Sequence, residues 1–536
     1  MQAEPSSMIP EEQDNLHRLI QALENNAAFD HPLEQFEIVE THISCLLLTG
    51  PYVYKFKKPV DLGFLDFSTL EKRKHCCEEE VRLNRRLAPK LYLEVVAITG
   101  DERSPRINGD GPVIEYAVKM VQFDRSRELD KLIRQGEVTA GLIDKLAVNI
   151  AEFHGQARPA AHDSRFGTAE HILQPVADNL AQIKTMLVHD RQYSVRMLAI
   201  EQWTEKTFEK LKPHFAKRKT KGFIRECHGD MHLGNMVLIG NEPVIFDCIE
   251  FSEPLRWIDV MSDVAFLAMD LHYHGRPDLA YRFLNAWLQE TGDYEGLKVL
   301  RFFQVYRALV RAKVACIRLG QEHDNEQDNA QEKTEYHRHI DLAAAFVQPQ
   351  QPVLFITHGL SGSGKTTITQ SLLERRCAIR IRSDLERKRL HYLPPNAKTG
   401  SAIAADLYSP ASTDQTYDRL EKLAALVLTA GYPVIVDATF LQASRRRDFM
   451  QLAKTCNVPF LILDCRASET VLEDRIQQRQ QSGTDASEAN LDVLKYQLRT
   501  RQHLQKDEQQ NCVTIDTDEG PDIDAIQSVI NYKLGN

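Results

Sequence analysis

The residues with the clearest capacity for chemistry lie in His228-Gly229-Asp230-Met231-His232-Leu233-Gly234-Asn235, followed by Val244-Ile245-Phe246-Asp247. An aspartate on a loop, an asparagine five positions on and a second aspartate closing a short apolar strand are the parts a kinase needs to bring a hydroxyl to a magnesium-bound triphosphate. A second group stands far along the chain. Gly359-Leu360-Ser361-Gly362-Ser363-Gly364-Lys365-Thr366 fits G-x-x-x-x-G-K-[ST] in full, between the apolar strand Val353 to Thr357 and a helix running to Arg375. Around Gly359, Ser361, Gly362, Ser363 and Gly364 the backbone N–H groups turn toward a phosphate at the helix N-terminus. Lys365 reaches the β- and γ-phosphates and Thr366 offers its hydroxyl to magnesium. ATP and Mg2+ are therefore the expected cofactors.

The elements that position the first group are readable upstream of it. A helix over about Glu11 to Asn25, with Leu16, Leu19, Ile20 and Leu23 at helical spacing, is expected as a lid on the strands after it. Two strands, Ile43 to Thr49 and Tyr52 to Lys57, flank Gly50-Pro51 as a hairpin. In the second, Val53, Lys55 and Lys57 share one face and Tyr54 and Phe56 the other. A helix within Ser68 to Leu87 carries Glu78, Glu79 and Glu80. Together with the downstream aspartates this predicts a Lys55–Glu80 ion pair that aims the lysine at the α- and β-phosphates, with Lys57 on the same face as the alternative. Val113 to Val121 reads as a further strand, Gln122-Phe123-Asp124 as a hinge, and the pattern turns helical from Glu128. His154, at the end of an apolar helix, reads as a packing or capping residue. Asp259 and Asp263 sit four apart on a helix, and their two readings are helix N-terminal charge and a brace for the catalytic loop. The polar run Gln321 to Arg338 is expected to be a solvated connection.

The totals bound these readings. A chain of 536 residues is too long for one core. With 43% hydrophobic and 26% charged residues it has the composition of a globular protein, and its net charge of -10 argues against a nucleic-acid coat or a binder of anionic membranes. The ten cysteines show neither C-x-x-C pairs nor metal-ligand spacing and read as reduced thiols. No signal peptide or membrane-length apolar run is visible, so a cytoplasmic location is expected.

On the H-G-D-x-H-x-x-N string, the strand-ending Asp247 and the D-x-x-x-D of Asp259 and Asp263, the region from about Val39 to Phe346 resembles the aminoglycoside phosphotransferase family, which shares the two-lobed protein-kinase-like fold. Val53-Tyr54-Lys55 and the Glu80 helix support the match. The resemblance implies that Asp230 orients and deprotonates the acceptor hydroxyl and that Asn235 and Asp247 hold magnesium. Thr41-His42-Ile43-Ser44 stands where a glycine-rich loop would precede the lysine strand. The family name does not set the substrate.

Gln348-Pro349-Gln350-Gln351-Pro352 reads as a linker. The expected architecture is an α/β and α+β multidomain chain. A two-lobed kinase-like domain over 1–347, with its N-lobe at about 1–124 and its C-lobe at about 125–347, precedes a doubly wound P-loop domain over 353–536. In the latter, strands are expected at Ala378 to Ile381, Pro433 to Val436, Pro459 to Leu463 and Val513 to Ile515. Asp437, closing its strand, is the natural partner for the magnesium. Asp384 and Arg387 form a D-x-x-R pair on neighbouring turns of a starting helix. The pair resembles the acceptor-binding element of small P-loop kinases, including polynucleotide 5'-hydroxyl kinases and gluconate-kinase-like enzymes, which implies that Asp384 engages a hydroxyl. Arg475 and Arg479, four apart and followed by Ser482-Gly483-Thr484-Asp485, read as a lid over the transferring phosphoryl group.

The leading expectation is a bifunctional ATP-dependent phosphotransferase, each domain phosphorylating a small-molecule hydroxyl. Two alternatives are a first-domain kinase regulated by a nucleotide-binding P-loop switch, and a P-loop domain acting as a nucleic-acid 5'-hydroxyl kinase. Basic and acidic residues nearly balance from Val353 onward, which disfavours a long polynucleotide, although Arg445-Arg446-Arg447 offers a grip for a short one.

Overall fold

Alternation in the strand Tyr52–Lys57 organises the amino-terminal sheet: Tyr54 and Phe56 are fully buried on one face, while Lys55 and Lys57 point to the other. The computed structural model describes residues 10–24, 28–61, 65–186, 191–319, 326–395, 397, 409–482 and 489–535. The sheet has six antiparallel strands in the order Glu37–Glu40, Ser44–Leu48, Tyr52–Lys57, Val113–Val121, Tyr92–Thr99 and Arg106–Ile107. Helix Pro10–Ala22 lays Leu16, Leu19 and Ile20 over the Tyr54 face and seals it. Helix Leu70–Asn84, begun by the Thr69 side chain accepting the Lys72 amide, packs on the other face. Gln122 to Asp124 connect this sheet to a helical lobe, and the Gln122 side chain accepts the Gly50 amide at 3.2 Å.

The helical lobe is built on Val260–Tyr273, buried from Val260 through Leu271, and on Leu297–Leu319, whose apolar face packs with it. Of the polar run Gln321 to Arg338 expected as a solvated connection, Gln321 to Asn325 lie outside the described residues and the rest is instead the first part of helix Glu326–Phe346, which packs on Leu297–Leu319 through Tyr336, Ile340 and Ala343. Its apolar residues cluster late, so the early polar turns hid its periodicity.

The carboxy-terminal part is a five-stranded parallel sheet in the order Ile379–Arg382, Val434–Asp437, Leu354–His358, Phe460–Arg466, Cys512–Asp516, with helices on both faces. Parallel strands buried on both faces explain the unbroken apolar runs Leu354 to Ile356 and Phe460 to Leu463.

The Pro/Gln linker does not hold two separate bodies apart. One apolar cluster runs from the helical lobe into the parallel sheet, taking in Leu284, Leu288, Ile379, Ile381, Tyr417 and Val434. At this junction Asn285, on helix Pro277–Thr291, satisfies the edge strand: its amide donates to the Ala378 carbonyl (2.9 Å) and accepts the Arg380 N–H (2.6 Å). Arg282 bridges Asp144 and Glu374 across the same boundary, at 2.5 and 2.7 Å. Among the described residues no helix is long and apolar enough to cross a membrane.

Candidate active sites

In the first part the structure gathers Lys55, Glu80, Asp247, Asn235 and Asp230 where the sheet meets the helical lobe. Lys55 Nζ donates to Glu80 Oε1 at 2.7 Å and to Asp247 Oδ1 at 2.6 Å, tying together strand, helix and the opposite lobe. Lys57 is used differently: fully buried, it is held between Glu80 and Glu250. The shared face left both lysines open; the depth of Lys57 and a second carboxylate, Glu250, separate them. Burial opposes charge in this cluster, yet the Asp247 and Glu80 carboxylates hold the Lys55 ammonium well above its ordinary value, and the two lysines draw Glu80 down to about 2.

Asp247 follows the strand Glu242–Ile245 with φ of 64°, an uncommon conformation for a residue with a side chain. Its N–H donates to the Tyr92 hydroxyl at 3.2 Å, and the next amide, Cys248 N–H, donates to Asn84 Oδ1 at 2.8 Å. Its carboxylate stays two-fifths exposed beside Lys55. Across the loop, Asn235 Nδ2 donates to both the Asp230 carbonyl and Asp230 Oδ2 at 2.9 Å. That leaves the Asn235 amide oxygen and the second Asp247 oxygen as hard donors of the kind magnesium takes, so the residues fit such an ion.

The loop itself is braced from below. Asp263 accepts the His228 and Gly229 amides at 2.9 and 3.0 Å, and Arg307 donates to the Gly229 carbonyl at 2.9 Å. Gly229 has φ of 88°, and a Cβ there would lie 2.8 Å from the Leu255 carbonyl oxygen. His228 donates to the Phe246 carbonyl at 2.9 Å, joining the loop to the strand that ends in Asp247. Burial holds its imidazole below the ordinary value. For the Asp230 carboxyl burial acts upward, but His232, with Nε2 3.4 Å away, and Arg311 outweigh it and hold the group well below the usual carboxylate range. Kept ionised beside Asn235, the carboxylate can accept a hydrogen bond from a hydroxyl.

The two readings of Asp259 and Asp263 divide between the residues. Asp263 braces the loop, whereas Asp259 caps helix Val260–Tyr273 by accepting the Met261 amide and pairs with buried Arg218 at 2.6 Å. His154, expected as a packing or capping residue, lies 3.4 Å from Asp263 and accepts from Trp287 Nε1 at 3.3 Å. His154, Cys227 and Asp263 have donor atoms close enough for a metal, but both Asp263 oxygens already receive loop amides. Glu250, Tyr92, Asn84 and Arg307 carried no local sequence signal, because each acts on a residue distant in the chain.

In the second part the P-loop joins strand Leu354–His358 to helix Lys365–Arg376. Gly359 has φ of 147°, and a Cβ there would meet the Cys465 carbonyl oxygen at 2.4 Å. Lys365 Nζ donates to the Leu360 carbonyl at 2.6 Å, and burial lowers its amine. Thr366 Oγ1 donates to Asp437 Oδ2 at 2.9 Å, with Thr369 on the same oxygen at 3.2 Å. A hydroxyl and a strand-ending carboxylate in contact again fit a magnesium ion. Gln497, which the sequence did not single out, closes over Ser361 through two hydrogen bonds of 2.8 and 3.0 Å. Asp384 opens helix Ser383–Leu390 near enough for its charge to act on Lys365, as does that of Arg479. Arg387, buried on the same helix, donates to Thr413 at 3.2 Å. Arg475 reaches the loop at the Gly362 carbonyl (3.4 Å) and Thr517; Arg479 donates to the Ala489 carbonyl at 2.8 Å. The rest of the expected lid, Gly483 to Asp485, lies outside the described residues.

The arginine triplet offers no open grip. Arg446 is fully buried on Glu508 and three backbone carbonyls, and Arg445 is paired with Asp414, so only Arg447 faces outward. Burial of the middle residue of a charged run follows from its position on the inner face of helix Ala443–Thr455.

Comparison with known proteins gives a family match in each part of the chain. Residues 65–303 match the model of the Phosphotransferase enzyme family (APH), and residues 354–504 match that of an AAA domain (AAA_33). An uncharacterized protein of Mycobacterium tuberculosis (strain ATCC 25618 / H37Rv) is 30% identical over 461 residues, 85% of this chain and 89% of that protein, as is one of Mycobacterium bovis. The chain belongs to the same family as these mycobacterial proteins, and it is a phosphotransferase enzyme of the kinase type. Among solved structures, a choline kinase from Cryptosporidium parvum is 12% identical with a TM-score of 0.38, covering 62% of this chain and 96% of its own. A gluconokinase from Sinorhizobium meliloti is 18% identical with a TM-score of 0.24, covering 35% of this chain and 91% of its own.

Proposed function

We propose that the chain is a bifunctional ATP-dependent phosphotransferase, with one kinase domain over 1–347 and a second, of the P-loop type, over 353–536, joined by 348–352. Each transfers the γ-phosphoryl group of its own ATP to a hydroxyl of a small molecule. The observation that carries the reading is Lys55 bridging Glu80 and Asp247 while Asn235 holds Asp230.

In the first domain Lys55 orients the α- and β-phosphates, and Asp230 aligns the acceptor hydroxyl and takes its proton as the bond to phosphorus forms. Asn235 and Asp247 would hold magnesium. In the second domain the backbone of Gly359 to Gly364 cradles the phosphates, Lys365 turns from the Leu360 carbonyl to the β- and γ-phosphates, and Asp384 and Arg387 face the acceptor. Thr366 and Asp437 would hold that domain's ion, while Arg475 and Arg479 approach the transferring group. Magnesium, when bound at either site, neutralises phosphate charge that builds up during transfer. A cytoplasmic location belongs to the same proposal and is supported by ten free cysteines.

The test is product analysis by mass spectrometry on a metabolite library with ATP, using Asp230→Asn and Asp384→Asn. Each variant is expected to lose one set of phosphorylated products by about 10²- to 10⁴-fold and to keep the other. If both substitutions leave every product unchanged, the paired-kinase reading is wrong.

A further inference from the structure

A cavity of about 680 Å³ opens beside the catalytic loop of the first site, with His232 and Gly234 in its wall. That volume suits a small metabolite. Three helices each deliver an arginine: Arg134 from Leu129–Gln135, Arg311 from Leu297–Leu319 and Arg338 from Glu326–Phe346. Arg134 pairs with Asp130 at 2.6 Å, so those two charges offset each other. Arg338 lies over the Tyr273 ring, 4.3 Å from its centroid, and donates to the Tyr273 carbonyl at 3.0 Å. The Arg311 guanidinium lies 3.5 Å from His232 Nε2. Among the described residues neither Arg311 nor Arg338 has a carboxylate within ion-pair distance.

Two further acids line the wall. Asp270 is turned to the protein, where Oδ2 accepts the Leu233 amide at 2.9 Å, and it is nearly buried; Glu335 stands half-buried on the same helix as Arg338. The buried ring of His339 registers the sign of the field: burial, and then the charges of Arg311 and Arg338, push it down to about 2. Arg311 also acts on Asp230, which places it toward the reacting end of the cavity.

Resting on the kinase reading of the first site, we propose that its acceptor is an alcohol bearing an anionic group, a phosphate or a carboxylate, held in this cavity by Arg311 and Arg338. Planar guanidinium groups without a carboxylate partner bind such oxygens through paired, charge-assisted hydrogen bonds, and they repel a cationic alcohol. With the anion held there, the free hydroxyl oxygen bonds to the γ-phosphorus and the bond to the β,γ-bridging oxygen breaks. ADP leaves with that electron pair, and the hydroxyl proton passes to Asp230.

The experiment uses the full-length chain carrying Lys365→Met, so that the P-loop adds no anion site. Glycerol phosphate, glycerate, inorganic phosphate, glycerol and choline are compared by calorimetric binding and by ATP-dependent phosphorylation. Anionic probes are expected to bind, with Arg311→Gln weakening them about tenfold or more, Arg311→Lys restoring part of the loss, and Arg338→Gln acting in the same direction from the rim. The phosphate and carboxylate arms separate the two anion classes. Equal binding of glycerol or choline, or anion binding indifferent to both arginines, overturns the inference; so does failure of every anion to bind. Arg311-dependent binding without Asp230-dependent turnover counts against the kinase reading and leaves only the anion site standing. Asp230-dependent turnover of a neutral or cationic alcohol does the reverse.

Discussion

The two candidate phosphate-handling sites of this chain are built in opposite ways. The first is assembled from side chains that meet across long stretches of sequence: Lys55 with Asp247, Lys57 with Glu250, Asp263 with the amides of His228 and Gly229. The second is largely local, a backbone loop of six residues, Gly359 to Gly364, between one strand and one helix, with Thr366 resting on Asp437. A site held by distant ion pairs depends on how two lobes are arranged, and a loop held by backbone geometry depends on its glycines.

Each prediction sets that contrast against a measurement. The largest effect falls on the first site. Lys57→Met leaves Glu80 and Glu250 buried without their shared cation and is expected to cost about 3–5 kcal/mol in denaturant unfolding. Lys55→Met spares Glu80 its Lys57 contact and is expected to remove first-site turnover at a smaller cost in stability. If Lys57→Met is stable and only inactive, the roles assigned to the two lysines are reversed.

Asn285→Leu comes next. It strips the Ala378 carbonyl and the Arg380 N–H of their partners at a buried edge, a loss of about 2 kcal/mol or more. Because one apolar cluster spans both parts, the wild-type chain is expected to unfold in a single transition, with second-site activity falling alongside first-site activity. Two well-separated transitions would mean that the domains are coupled only by their linker.

The smallest effect is a pH dependence in the helical lobe. Burial lowers the His272 imidazole to about 4 from an ordinary 6.5 and is the leading cause at His339 as well. Both are neutral when folded and protonated when unfolded below 6.5, so the unfolded chain binds more protons and stability falls as the pH drops from 6.5 toward 4. The first pH unit is expected to cost about 1 kcal/mol for each of the two histidines. His272→Gln should roughly halve that slope; an unchanged slope would remove His272 as one of its sources.

The same contrast explains what the sequence made legible. The P-loop, the strand ends at Asp437 and Asp247 and the loop from His228 to Asn235 are short patterns whose spacing already implies geometry. Lys55 and Glu80 are legible as a pair because strand alternation and helix position limit the candidates. Glu250, Tyr92 and Arg307 escape because their partners are set by how lobes pack, and nothing within a few residues of them signals it. Helix Glu326–Phe346 is hidden for a related reason: its apolar stripe develops only after Tyr336, so composition outweighs period. The Pro/Gln segment lies between helix Glu326–Phe346 and strand Leu354–His358, while the contacts of Asn285 and Arg282 that join the two parts are made by single polar residues on helix Pro277–Thr291.

The most direct test of the central claim is the number of ATP molecules bound per chain at equilibrium, measured with a nonhydrolysable analogue and magnesium on the full-length protein. The account predicts two for the wild type, one for Lys365→Met and one for Lys55→Met, with the remaining site unchanged in affinity. A single nucleotide per wild-type chain, abolished by only one of the substitutions, would contradict it.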